Sequence, residues 1–284
     1  MDFQPPNTDI SVDLIGGSFN YHTVDLVIPA KGFDFRVERW HRSDAVLNFQ
    51  IGWQFDWDER LELDSFDESI RYWAPGFLMS RFVKDLEGNY VPAVPWIYSS
   101  LESLPGGEYR IRLKNGEERF FGWDGRLLRR VDRHGNTQTF TWRHVGDEAH
   151  LEIRDPAGRK LQVSNVTLFE GGSLVTTVTD WTGRTLQYER ANFGGLITKY
   201  IDPEGNVTTY TYHTTEGVDP PAFLGIESII CPNGLWVTNH ALGAPPESKI
   251  VKRQVFGNGL VVDYEYDLDA RRTTVNRGGR GSVY

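Results

Sequence analysis

The chain has 284 residues, 39% of them hydrophobic and 24% charged, a composition that excludes collagen-like structure and a wholly disordered chain. With 30 basic and 39 acidic residues the formal charge is −9, so the attraction that phosphate backbones and anionic lipid surfaces need is missing; neither nucleic-acid binding nor membrane insertion is expected. A lone cysteine, Cys231, excludes an intrachain disulfide and a cysteine-based metal cluster.

The start, Met1-Asp-Phe-Gln-Pro-Pro6, has neither the basic nor the apolar run of a signal peptide. No stretch approaches the roughly 18 apolar residues of a membrane-spanning helix. A secreted or cell-surface product is therefore expected to leave by a signal-less route or to be a piece of a longer chain.

Residues 1–115 have no clean repeat and are broken by Pro29, Pro75, Pro92, Pro95 and Pro105, which predicts an irregular all-β lead-in rich in tryptophan. Strands are predicted at Thr23–Ile28, Phe33–Trp40 and Tyr109–Leu113. In the second, Phe33, Phe35 and Val37 alternate with Asp34, Arg36 and Glu38, which predicts one buried and one wet face. Arginine outnumbers lysine and alternates with apolar residues. The expected role is to cover strand surface with the stem while the guanidinium stays wet or pairs across strands, with an anion- or cargo-facing inner wall as the alternative.

Lys114-Asn-Gly116 and Gly122-Trp-Asp-Gly125 read as tight turns leading into a repeat over 116–284. The units are Asp132-Arg-His-Gly135, Asp155-Pro-Ala-Gly158, Asp180-Trp-Thr-Gly183 and Asp202-Pro-Glu-Gly205, with degenerate copies ending at Gly234 and Gly259. Each lies between alternating runs rich in Thr, Val, Tyr and Phe, so each is predicted to be a β-hairpin. Aspartate bonds the backbone two residues on, and glycine supplies the positive φ that closes a type I turn with a bulge. A spacing of 22 to 29 residues between successive glycines implies stacked hairpins that cannot bury a face alone. No long helix is expected.

Three pieces together resemble the Rhs/YD-repeat proteins: Gly17–Pro29 with Phe35–Ser43 and Gly52-Trp53; Tyr109–Gly116 through Asp124–Asn136; and Tyr264-Glu-Tyr266-Asp267-Leu-Asp-Ala-Arg271. Trp40 stands where that family usually has tyrosine, and Ala270 replaces the glycine of the last motif, so a relaxed or bulged turn is expected there. The resemblance implies an all-β strip wound spirally into a hollow, cocoon-like shell that encloses a C-terminal toxin in interbacterial competition. The partners it implies are the remaining repeats, in cis or from another chain, and the cargo. The array is expected to be incomplete beyond Tyr284. Asp155-Pro-Ala-Gly158 superficially matches the self-cleavage site of such shells, but Arg159 follows it and it lies among sister turns, which favours a plain turn.

Chemistry is sparse. The segment Asp56–Glu68 carries seven acids and one base; Asp56, Asp58, Glu59 and Glu62 are the candidates for an oxygen-ligated cation, against the reading that Phe55, Trp57, Leu61 and Leu63 mark a strand with a solvated face. Asp56 and Glu59 could also serve as a glycosidase pair, a reading that any acid-rich chain invites. The seven histidines show no metal-ligand spacing, and no nucleophile elbow or phosphate loop is present. Cys231 reads as a packed residue. The expectation is a structural protein without catalytic residues, cofactor or metal; a glycan- or cell-surface-binding module in the aromatic region 1–115 is the alternative.

Overall fold

The computed structural model describes residues 8–47, 50–145, 148–167, 174–191, 196–214, 223–234, 236–241, 250–267 and 269–283, with side chains at 45–47, 50, 51, 166, 167, 214, 223 and 224 left aside. Parts of the expected pattern at Met1–Pro6, Ser173, Leu235, Leu268 and Tyr284 lie outside the described residues. Among the described residues the regular secondary structure is antiparallel β-sheet, with one three-residue 3-10 turn at Asp56–Asp58.

The lead-in makes two four-stranded sheets. The first runs β1 (Thr8–Val12), β2 (Phe19–Ile28), β3 (Phe35–Leu47) and β4 (Gln50–Phe55). The second runs β5 (Arg60–Leu63), β6 (Ile70–Ala74), β7 (Leu78–Lys84) and β8 (Tyr90–Pro92).

The rest is a strip of 17 strands, each hydrogen-bonded to the next in chain order. It begins with β9 (Ser100–Ser103), β10 (Tyr109–Arg112), β11 (Glu118–Phe121), β12 (Leu127–Val131), β13 (Thr137–Val145), β14 (Glu148–Arg154), β15 (Lys160–Thr167) and β16 (Leu174–Asp180). It continues with β17 (Thr185–Arg190), β18 (Ile197–Ile201), β19 (Val207–Thr214), β20 (Phe223–Ile230), β21 (Trp236–Ala241), β22 (Val251–Phe256), β23 (Val261–Asp267), β24 (Arg272–Arg277) and β25 (Arg280–Val283). Among the described residues β9 pairs only with β10 and β25 only with β24, so the strip is open rather than a closed barrel. It starts at Ser100, upstream of the change in character expected near residue 115.

The hairpin turns follow from local chemistry. At Asp155 the Oδ1 atom accepts from the amides of Ala157 (3.0 Å) and Arg159 (2.8 Å), while Gly158 N–H donates to the Asp155 carbonyl (3.0 Å) at φ 84°. Asp132, Asp180 and Asp202 repeat this arrangement with Gly135, Gly183 and Gly205, so Asp155-Pro-Ala-Gly158 is a turn like its sisters. Gly234 and Gly259 close the two degenerate copies by donating to the carbonyls of Cys231 and Phe256. At the Ala270 position the register pairs Asp267 with Arg272, one residue longer than the glycine turns, and Arg271 takes the left-handed conformation at φ 50°. The expected relaxation is thus a longer loop in which positive φ passes to the next residue.

Alternation along the strands sets the core. In β17 Leu186, Tyr188 and Arg190 are buried, and in β14 Leu151 and Ile153 are. They meet the matching face of the first sheet, on which Phe35 and Val37 continue into Arg39, His41 and Ser43, all buried. Phe55 packs edge-on against Tyr188 (5.1 Å between ring centroids) and Trp53 against Tyr210 (5.4 Å). Neither sheet can hide this much aromatic surface alone, and at about 25 cal/mol per Å² of apolar area the mutual burial is the main stabilising contribution. The second sheet reaches the strip separately: Leu61 N–H donates to the Gly125 carbonyl (2.9 Å) and Tyr72 meets Phe121 edge-on.

Candidate functional site

Two buried polar clusters lie where the lead-in meets the strip. The first is centred on Arg39, whose side chain is 1% exposed and forms a two-pronged pair with Asp25 in the adjacent strand β2, at 2.6 and 3.2 Å. The guanidinium also donates to the Tyr210 hydroxyl (2.8 Å), and Tyr188 donates to Asp25 (2.8 Å). The rings of Tyr21, Trp53, Tyr188, Tyr200 and Tyr210 surround it, with centroids 4.9 to 5.8 Å from Cζ. Its Nη1 atom has no hydrogen-bond partner and is held by ring faces.

Burial opposes the charge on Arg39, but Asp25 and the neighbouring phenols outweigh it and hold the guanidinium well above its ordinary range. Burial, then the charge of Asp25, pushes Tyr188 up in turn. The cluster is a permanently charged lock rather than a proton-transfer device. A pocket of about 310 Å³ opens beside it, walled partly by Tyr200, Thr208 and Cys231. Cys231 is 7% exposed, and burial raises its thiol to about 11, which suits a packed residue rather than a nucleophile.

The second cluster holds the acids singled out in the sequence. Glu59, 2% exposed, accepts from Arg130 Nε (3.1 Å), lies 3.2 Å from Arg119 Nε and takes a short hydrogen bond from the Tyr72 hydroxyl. Asp56 is 3.5 Å from Arg130 through its carboxylate, and its main-chain carbonyl accepts from the same guanidinium at 2.6 Å. Burial drives the Asp56 carboxyl up to about 7. Asp58 accepts from the Phe55 amide (2.8 Å), capping the 3-10 turn, and Glu62 binds Arg60 (2.8 Å) and Trp73 (2.7 Å).

These carboxylates therefore turn to arginines, an indole and a main-chain amide. Among the described residues no group of three or more His, Cys, Asp or Glu side chains is placed to hold a metal ion. The segment is also not the strand with a solvated face that the alternation suggested: Asp56 and Glu59 are buried because β11 and β12 bring Arg119 and Arg130 to them.

The turn residues Asp132, Asp155 and Asp180 lie in hairpin loops with their glycines, while Asp202, in the same kind of loop, also lines the pocket beside Arg39. Arg39 is the residue that sequence reasoning missed. An arginine expected to keep its head wet or to pair across strands does the second in full burial. The available signal was parity, since Arg39 falls on the same face as Phe35 and Val37.

Residues 10–76, from β1 to just beyond β6, match a family described as Domain of unknown function (DUF6531). The match covers the first sheet and the start of the second, including Arg39, Asp25 and all four candidate acids, and carries no activity with it. No curated protein matches the chain.

Proposed function

We propose that the chain is a wall segment of a shell of the Rhs/YD-repeat kind, which sequesters a C-terminal toxin or other cargo sterically, in a secreted or surface-exposed competition system. The observation that carries this reading is the open strip of 17 hairpin-linked strands whose one face is capped by the lead-in. Such a sheet extends by adding hairpins to the free edge of β25, where the remaining repeats would pair. No catalytic step belongs to this reading: the wall acts by excluding macromolecules from the cargo.

The test compares residues 1–284 with and without the downstream reading frame by limited proteolysis and size-exclusion chromatography. A short form that self-associates or is digested, beside a longer form that is resistant and retains cargo, supports the shell. A compact, resistant monomer of the short form contradicts it.

A second reading, a glycan- or cell-surface-binding module, is favoured by the solvent exposure of Trp96 (70%) and Tyr98 (70%), aromatic faces of the kind that stack on sugar rings. Tryptophan emission unchanged across a broad glycan panel would remove it.

A further inference from the structure

Strand β1 is an edge strand: its pairing with β2 is the one ladder it makes among the described residues. A groove of about 500 Å³ runs beside it and is touched by Ile10, Ser11 and Val12 together. Successive residues of a strand point to opposite faces, so a groove reached by three in a row lies along the strand's free edge. There the peptide groups of one parity face outward without partners. Ile10 has that parity. Val12 lies opposite Phe19, whose amide turns away from β1 to donate to the Ser43 hydroxyl (2.9 Å), and Ile10 is two residues before Val12.

The floor of the groove is one face of β22–β25. Val262 lies opposite Arg277 in the next strand, and Arg277 lies opposite Arg280; one row over, Tyr264 lies opposite Val275. The floor is mixed: Val262, Val275 and the Tyr264 ring supply apolar surface, and Gln254, Ser282 and the two arginines supply polar surface.

Arg277 and Arg280 are the charged side chains that line the groove, among the described residues, and neither is in an ion pair with a described residue. Like charges directly across a ladder repel. This pair is therefore an unbalanced positive site beside a free strand edge, on a chain whose overall charge is −9.

We propose that this groove binds an extended, acidic peptide segment of a partner, which adds to the free edge of β1 as an extra strand and sets carboxylates against Arg277 and Arg280. Main-chain hydrogen bonds to β1 supply register. Peptide side chains of one parity face the floor, where the valines and Tyr264 take apolar groups and the arginine pair selects for acidic character. This goes beyond the shell reading and does not depend on it, because edge and floor both lie within the chain.

The test is fluorescence anisotropy of the 284-residue chain with two labelled peptides of about eight residues, one alternating valine and glutamate and the other valine and lysine. The acidic peptide is expected to bind at least about tenfold more tightly than the basic one, with affinity falling as salt is raised. Arg277→Glu with Arg280→Glu, both exposed, is expected to invert the preference while leaving the circular dichroism spectrum unchanged. Ile10→Pro removes an outward amide and is expected to weaken both peptides. Equal binding of the two peptides, or an unchanged preference in the charge-reversed variant, overturns the proposal. So does a concentration-dependent dimer that Ile10→Pro abolishes, which would assign the groove to a second copy of the chain.

Discussion

Arg39 in β3 donates a 2.8 Å hydrogen bond to the hydroxyl of Tyr210 in β19, joining residues 171 positions apart at the centre of the core. Its charge is balanced by Asp25 within the lead-in, and aromatic walls around the pair come from β17, β18 and β19. Arg39→Met leaves the Asp25 carboxylate buried without its cation and is expected to cost about 3–5 kcal/mol. Adding Asp25→Asn should recover part of that loss, with a coupling of about 1–3 kcal/mol in the double-mutant cycle. Urea unfolding followed by tryptophan emission measures both.

The hairpin turns make opposite predictions at two positions. Gly158, at φ 84°, has open space where a Cβ would go, so Gly158→Ala reports backbone strain alone and is expected to destabilise by about 1–2 kcal/mol. Arg271 holds the left-handed conformation without being glycine, so Arg271→Gly is expected to stabilise by up to about 1 kcal/mol. Thermal unfolding of the two variants should move in opposite directions.

Gly125 combines positive φ with a close approach. A Cβ there would overlap the carbonyl oxygen of Leu61, whose amide bonds to the Gly125 carbonyl. Gly125→Ala is therefore expected to cost more than Gly158→Ala, by about 1–3 kcal/mol of overpacking. The excess should appear as faster amide exchange in β5 and β6, since the second sheet meets the strip at this contact.

His41 is buried against Trp53 and Tyr212, and burial lowers its value from 6.5 to about 3. Between those values the unfolded chain takes up a proton that the folded chain refuses, so this group removes stability as pH falls from 6.5 toward 3, by up to about 1.4 kcal/mol per pH unit. Asp56 acts oppositely: raised from 3.8 to about 7, it holds a proton in the folded state that the unfolded chain has lost, and its contribution declines as pH rises through that window. His41→Phe should leave the Asp56 effect uncovered. Relative to wild type, the variant gains stability on acidification from about pH 6 to 4 in parallel urea titrations.

Most of the hairpins could be read from the chain because their chemistry is local. An aspartate, a glycine three residues later and alternating flanks define a turn without help from the rest of the molecule, and in the turn that has Ala270 in place of the glycine the positive φ falls on Arg271. The two polar clusters were less legible because their partners come from far away. Glu59 meets Arg130 across 71 positions, so a run of acids that looks solvated in isolation is in fact half buried. Arg39 was readable only as a parity anomaly on an apolar face, and its five ring contacts needed the strip to be folded over it.

The most direct test of the shell account is cryo-electron microscopy of the product of the complete reading frame. The account predicts that the outer edge of β25 pairs with a further hairpin, that the strip curls around an enclosed volume containing cargo density, and that the lead-in stays seated on one face of the strip through Arg39 and Tyr210. A β25 edge left in solvent on a particle with no enclosed volume would contradict it.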